Sequence, residues 1–567
     1  MAGQRRRSGR AAGPFRFGAD WWRRGVVYQI YPRSFADSDG DGTGDLPGII
    51  ERLPYLGPDG LGIDAIWLSP IYPSPGRDVG YDVSDHTTID PLFGTDADFD
   101  RLVEVAHGLG IRVVLDLVMN HTSDEHPWFR ASRRREEPFT DWYIWRDPAG
   151  FDRRGEAVPP NDWVSWFGGS AWTFDPKRGQ CYHHTFLPEQ PELDWRVPAV
   201  EAAQWKMVRG WLERKVDGFR LDTFNVFLKA ASMASNPVRR GRTAWDRQVH
   251  LNDIDQPDLP ELIGRFRAMV DRFPGTMSVG ELFVGTTERA AALTVDRHLV
   301  FDWELMGRPW TASGMRAALR RRERAFGPQR WPTVVLSNHD QPRHVSRFAG
   351  SLRVDDPIER DAIARAAAVL ALTVRGTPFL YYGEELGMGD VEIPPGEGID
   401  RAADRVGPGF SWWDRSPART PMPWTGDPGA GFSTGRPWLR LGADTATRNV
   451  AAQRADPGSV WSCYRRLLAL RSAEPSLQDG ALVIARTGDP GVLGYRRVGS
   501  GPEVFVAIAF RPEGGEIRLP RPVHGGRWRS IGGSSAEPST PTVDGRLLRL
   551  RGLEAVVLVA DRHRPRR

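Results

Sequence analysis

Three short segments of this 567-residue chain each end an apolar run on a carboxylate: Gly218-Phe219-Arg220-Leu221-Asp222, Val279-Gly280-Glu281 and Ser337-Asn338-His339-Asp340. The β-branched and large apolar residues read as buried strands, with the acid standing where each strand stops. Acids carried on the C-terminal ends of parallel strands can share one pocket. Three of them, with Arg220 and His339 alongside, suit a reaction that passes through an oxocarbenium-like transition state. Arg220 lies two residues before Asp222, so both leave a strand on the same side, and its fixed charge favours an ionised Asp222.

The elements that must position these acids are legible as alternating strand and helix patterns. Apolar runs at 26–31, 63–69, 112–119, 218–222, 277–281, 299–303, 333–337 and 378–382 number eight, which predicts a closed (β/α)8 TIM barrel. Helical spacing of Phe99, Leu102, Val103 and Ala106, and of Ala203, Met207, Val208 and Trp211, fills the gaps with amphipathic helices. The connection over 121–195, rich in Trp, Pro, Gly and charge, is too long for a loop and reads as an inserted domain. After a helix over 460–472 the pattern turns to short alternating strands, a C-terminal β-sandwich. The expected division is a disordered basic tail over 1–18, the barrel over 19–120 and 196–475, the insertion over 121–195, and the β-domain over 476–562.

With these motifs the chain resembles the α-amylase superfamily of glycoside hydrolases, in its α-glucosidase branch, over nearly its whole length. The resemblance implies a retaining double displacement in which Asp222 is the nucleophile, Glu281 the general acid/base and Asp340 the acid that binds the distorted sugar. Glu281 then needs a raised pKa, which neighbouring negative charge in a partly dry pocket supplies. The segment from Asp116 to His121 resembles the family's third strand end, where His121 would bond sugar hydroxyls; the inserted domain is the family's domain B. Gly80-Tyr81-Asp82 resembles the segment whose Tyr stacks under the sugar and whose Asp grips its non-reducing end. In Arg415-Ser416-Pro417-Ala418-Arg419, the family pattern pairs Arg419 with Asp82 to close the pocket, which implies exo action. Ser416-Pro417 departs from the Asp-containing pair that relatives carry there. Arg220 and His339 complete the sugar-binding set. Thr223, directly after the nucleophile, would face the leaving sugar, and Thr there accompanies α-1,4 rather than α-1,6 action.

Asp37-Ser38-Asp39-Gly40-Asp41-Gly42-Thr43-Gly44-Asp45 imitates the start of an EF-hand loop, but position 12 is Gly48 and not Glu, which excludes an EF-hand. Alternating acids and glycines can still wrap one hard cation, through Asp37, Asp39, Asp41, the Thr43 carbonyl and Asp45. The resemblance implies a structural calcium or magnesium there, and no cofactor for the chemistry. His121, Asp124, Glu125 and His126 fit no zinc spacing.

A net charge of +4, with dispersed arginines, gives no basis for a nucleic-acid partner. Two cysteines cannot frame a disulfide scaffold, no apolar core follows Arg5-Arg6-Arg7, and no window is long and apolar enough to span a membrane. The expectation is a cytoplasmic enzyme, monomeric or a small homo-oligomer, whose partner is a small oligosaccharide. It releases terminal glucose from short, α-1,4-linked glucosides. The alternatives are an oligo-1,6-glucosidase, a sucrose- or trehalose-forming transglycosylase or isomerase, or a non-catalytic scaffold on the same barrel. A scaffold is expected to lose catalytic acids and to carry a span; this chain keeps Asp222, Glu281 and Asp340.

Overall fold

The computed structural model describes residues 15–394, 396–400, 414–523, 525–537 and 546–561. All eight predicted runs form strands: β1 (Val27–Ile30), β2 (Ala65–Leu68), β3 (Arg112–Leu117), β4 (Gly218–Leu221), β5 (Met277–Gly280), β6 (Leu299–Val300), β7 (Thr333–Val335) and β8 (Thr377–Tyr381). They make one parallel sheet in the order β6-β5-β4-β3-β2-β1-β8-β7. Side chains bridge the seam between β6 and β7. The Thr333 hydroxyl accepts from Asp302 N–H at 3.0 Å, and buried Arg322 donates to Asp302 (2.7 Å) and to Thr333 O (2.6 Å). The fold is a TIM barrel.

Strand alternation explains how one barrel carries both a core and a site. Val27, Ala65, Trp67, Val114, Met277 and Val279 form the inner cluster. Their neighbours Tyr28, Ile30, Ile66, Leu68, Val113 and Leu115 join the outer layer against the helices. Continuing the inward register to the strand ends reaches Asp116, Arg220, Asp222 and Glu281. The same face is therefore apolar at the bottom and charged at the top.

Between β3 and β4 the insertion holds a helix (Pro127–Arg133), a three-stranded antiparallel sheet (Trp145–Arg146, Gln180–His183 and Trp172–Asp175) and a small hairpin. Trp163 and Trp172 pack its core with Ile144 and Cys181. The C-terminal region pairs a five-stranded antiparallel sheet with a two-stranded one, Gly515–Arg518 against Leu547–Leu550. Phe505, Ile517, Leu548 and Leu558 fill the space between them. Two strands there escaped the sequence reading, Gly515–Arg518 and Trp528–Gly533, because charged or glycine residues break their apolar alternation.

One expectation needs correction. The predicted disordered tail over 1–18 reaches into ordered structure: Arg16 Nε donates to Asp64 (2.8 Å), Arg112 donates to Phe17 O (2.6 Å), and the Arg112 guanidinium lies 4.1 Å from the Phe15 ring. Aromatic residues at 15 and 17 give this stretch apolar surface to bury. Residues 1–14, and 562–567 at the other end, lie outside the described residues. Both cysteines, Cys181 and Cys463, are buried free thiols. Among the described residues no helix is long and apolar enough to cross a membrane.

Candidate active site

The strand-end acids converge on one cavity of about 790 Å³, lined by Tyr81, His121, Asp222, Thr223, Glu281 and Asp340 among others. Arg220 organises its floor. Only 1% of its side chain is exposed, and Nη1 donates to Asp222 Oδ1 and to Asp116 Oδ1, both at 2.7 Å, while Nη2 donates to Glu281 Oε2. Asp222 and Glu281 are therefore held by adjacent nitrogens of one planar fork, which fixes their mutual placement. Glu281 also faces the Thr223 N–H at 3.3 Å, and the Thr223 hydroxyl donates to Asp222 Oδ2 at 3.2 Å.

Burial raises the Glu281 pKa to about 8, and the charges of Asp222 and Asp340 push the same way against the pull of Arg220. It is a carboxyl that keeps its proton at neutral pH. Burial likewise raises Asp116 to about 7, and it accepts the Tyr81 hydroxyl at 3.0 Å. Asp340 goes the other way. Burial alone would raise it, but His339, Arg415 and Arg419 hold it well below the usual carboxylate range. Burial pushes His339 down to about 4, so its ring is neutral. Gln29 Nε2 donates to its Nδ1 at 2.8 Å, leaving Nε2–H toward the Tyr81 hydroxyl (2.6 Å) and Asp340 Oδ2 (3.0 Å). The Tyr81 and His339 rings lie parallel, with centroids 5.3 Å apart.

The closed end of the pocket differs from the expected Asp82–Arg419 pair. Asp82 is fully buried and accepts from Ser74 Oγ (2.8 Å), Arg77 N–H (2.8 Å) and Asp78 N–H (2.9 Å). It stabilises the turn that carries Tyr81 and does not reach the cavity. Asp78 fills that place: Arg415 Nη2 donates to its Oδ1 at 2.6 Å. Arg415 also donates to Asp340 (3.1 Å) and, through two nitrogens, to Asp400. Arg419 instead donates to Asp340 Oδ1 (3.0 Å) and His339 O (2.8 Å), so it holds the third acid. His121 lies beside Gln190, whose Nε2 reaches His121 Nε2 (3.1 Å) and Asp78 Oδ2 (3.0 Å). The carboxylate four residues after Ser74 and three before Tyr81 was the signal for Asp78; the reading passed over it for the nearer Asp82.

Trp166, Phe283 and Trp303 also line the cavity, with Thr243 and Asp246 from a second long connection, 222–258, which the sequence pattern did not single out. Trp245 of that connection packs edge-on against Trp166 at 5.3 Å. The acidic loop is a separate place. It brings carboxylate oxygens of Asp37, Asp39 and Asp45 within 4.8 Å of one another, a donor set that fits one hard divalent cation. Asp41, expected among the ligands, is outside that group and accepts the Thr43 N–H at 2.6 Å, closing its own short turn.

A model of the alpha-amylase catalytic domain matches residues 29–480. The chain belongs to this family of glycoside hydrolases. A "Probable alpha-glucosidase" of Rhizobium meliloti (strain 1021) is 42% identical over 521 residues, spanning 88% of this chain and 91% of the relative. The oligo-1,6-glucosidase of Parageobacillus thermoglucosidasius is 35% identical over 538 residues, 88% and 92% of the two chains. Among solved structures, an alpha-glucosyl transfer enzyme superposes with a TM-score of 0.87 at 40% identity, covering 95% of this chain and 99% of that one. The family assignment accounts for the barrel, the strand-end acids and the insertion after the third strand together.

Proposed function

We propose that this glycoside hydrolase is a retaining, exo-acting α-glucosidase that removes terminal glucose from short α-1,4-linked glucosides. The observation that supports the reading is the bridge Asp78–Arg415–Asp340 in the lining of the cavity that holds Asp222 and Glu281, which on this reading closes the pocket beyond a single sugar. A chain end fits such a pocket; the middle of a polysaccharide does not.

Asp222 is the nucleophile, and Arg220 supports its charge. Glu281 protonates the leaving oxygen, then takes a proton from the incoming water. Two carboxyl groups on adjacent nitrogens of one guanidinium favour the separation of about 5–5.5 Å used by retaining enzymes over the wider inverting arrangement. Asp340, ionised between Arg415 and Arg419, faces the positive charge that develops on the sugar ring. Tyr81 and His121 bind the same sugar. Thr223, at the cavity wall beside Asp222, biases the leaving sugar toward α-1,4 linkage.

Transfer to an alcohol is the second reading. It draws on the alpha-glucosyl transfer enzyme as structural neighbour, because hydrolysis and transfer share the glycosyl-enzyme. A calcium or magnesium ion at Asp37, Asp39 and Asp45 would brace the loop between β1 and the following helix and takes no part in the chemistry. Incubation with maltose, isomaltose, sucrose and trehalose, with products separated chromatographically, tests the substrate assignment. Glucose from maltose supports it, and isomaltose cleaved faster than maltose overturns the linkage preference.

A further inference from the structure

We propose that Asn225 is a positioning residue that sets the spacing between Asp222 and Glu281 by clamping the end of β4 to the end of β5. The proposal rests on the reading of those two acids as nucleophile and acid/base.

Backbone pairing between β4 and β5 ends where Glu281 N–H donates to Leu221 O at 2.8 Å. Beyond that bond the two chains turn apart: Thr223 is left-handed (φ 34) and leads into the short 3-10 turn Phe224–Val226, and Val284 is left-handed too (φ 48). Asn225, fully buried, fills the gap. Phe283 N–H donates to its Oδ1 at 2.7 Å, and its Nδ2 donates to Phe283 O at 2.9 Å. A side-chain amide offers one acceptor and one donor as a peptide group does, so Asn225 adds a two-bond rung after the backbone ladder has stopped.

A second contact lies on the near side of Glu281. A Cβ added to Gly280 would lie 2.6 Å from the Phe224 ring, so the two strand ends already touch there. Glu281 thus sits between two fixed contacts, Gly280 on Phe224 and Phe283 on Asn225, both made by residues that closely follow Asp222. The Asn225 backbone is itself held, with its carbonyl accepting from Asp255 N–H at 2.8 Å. Without the amide, Phe283 loses both of these partners, and the side of the Glu281 segment that faces β4 keeps only Arg220, the Thr223 N–H, the Phe224 contact and the last ladder bond, while Trp303 Nε1 still donates to Leu282 O (3.1 Å) from the other side. A displacement near 1 Å at such a site costs about 10²-fold in rate.

The test compares wild type with Asn225→Leu, which removes donor and acceptor, and Asn225→Asp, whose protonated carboxyl presents both again. The reading predicts that Asn225→Leu loses about 10²-fold in kcat on maltose, with a smaller loss on p-nitrophenyl α-glucoside, whose leaving group needs little protonation. Its alkaline limb should move to lower pH, because Glu281 would gain water and leave Asp222 and Asp340 while keeping the Arg220 charge. Asn225→Asp should recover toward wild-type activity as pH falls and its carboxyl protonates; this variant also serves if Asn225→Leu does not fold. Equal losses on both substrates with an unshifted pH profile and a lowered Tm would show a merely structural amide and overturn the proposal. So would a kcat on maltose equal to wild type. β-Glucose from the wild-type enzyme would instead remove the underlying reading of Asp222 and Glu281.

Discussion

Arg415 reaches Asp78 across the closed end of the cavity, with Nη2 2.6 Å from Oδ1, while a second nitrogen of the same guanidinium reaches Asp340 at 3.1 Å. On the proposed function, one cation thus joins the wall that stops a sugar chain to the acid that faces the reacting ring.

Removing either member of the closing pair should open the pocket. Arg415→Ala leaves buried Asp78 without its cation, Asp78→Ala takes from Arg415 one of the three carboxylates it holds, and in either variant kcat/KM on maltose should fall by about 10²-fold or more. Asp82→Asn should behave differently, lowering Tm while leaving KM for maltose within about threefold, since Asp82 holds a turn through neutral donors. Steady-state kinetics and thermal melts on the three variants check this. A kcat/KM loss at Asp82 as large as at Asp78 would restore the Asp82–Arg419 assignment.

On the proposed acid/base role, the Glu281 carboxyl sets the alkaline limb. Its proton is needed for the leaving group, so activity should fall as pH rises through about 8. The same carboxyl titrates near 4.5 when unfolded. The unfolded chain therefore loses this proton first, and the stability that Glu281 contributes, complete below 4.5, is lost as pH climbs toward 8. Glu281→Gln should accordingly abolish the alkaline limb of residual activity on aryl glucosides and raise Tm more at alkaline than at acidic pH. Equal Tm shifts across that range would contradict a raised pKa.

The eight strands and the three acids were legible because each depends on local pattern: a buried strand is a dense apolar run, and the acid ends it. Arg220 beside Asp222 followed from strand alternation alone. The closing pair was not legible in that way. Asp78, Arg415 and Asp400 come from three separate segments, and only the folded chain shows that Arg415 rather than Arg419 has the reach to Asp78. Asn225 was hidden for a related reason. A buried amide looks like any polar residue in a turn until its partner, the Phe283 backbone, is placed beside it. Asp41 misled because regular spacing suggested equal roles for every acid of the loop, whereas turn geometry directs it to its own Thr43 N–H.

Chelation tests the acidic loop. With a cation on Asp37, Asp39 and Asp45, exhaustive treatment with a chelator should lower Tm and leave activity at mild temperature nearly unchanged. Asp37→Asn should abolish the chelator's effect on Tm, and Asp41→Asn should largely keep it. An unchanged melt in the wild-type protein would show a loop held by its own hydrogen bonds.

Linkage preference can be read at Thr223. Thr223→Val removes the hydroxyl that donates to Asp222 Oδ2 at 3.2 Å, and should move the maltose-to-isomaltose ratio of kcat/KM toward isomaltose by about three- to tenfold. Parallel changes on both disaccharides would show that Thr223 supports the nucleophile without selecting the linkage.

Retention with release of single glucose units is decided by proton NMR of the first minutes of maltotriose hydrolysis. A double displacement at Asp222 gives α-glucose ahead of mutarotation, with maltose as the only other early product. β-Glucose as the first anomer would contradict the Asp222 double displacement.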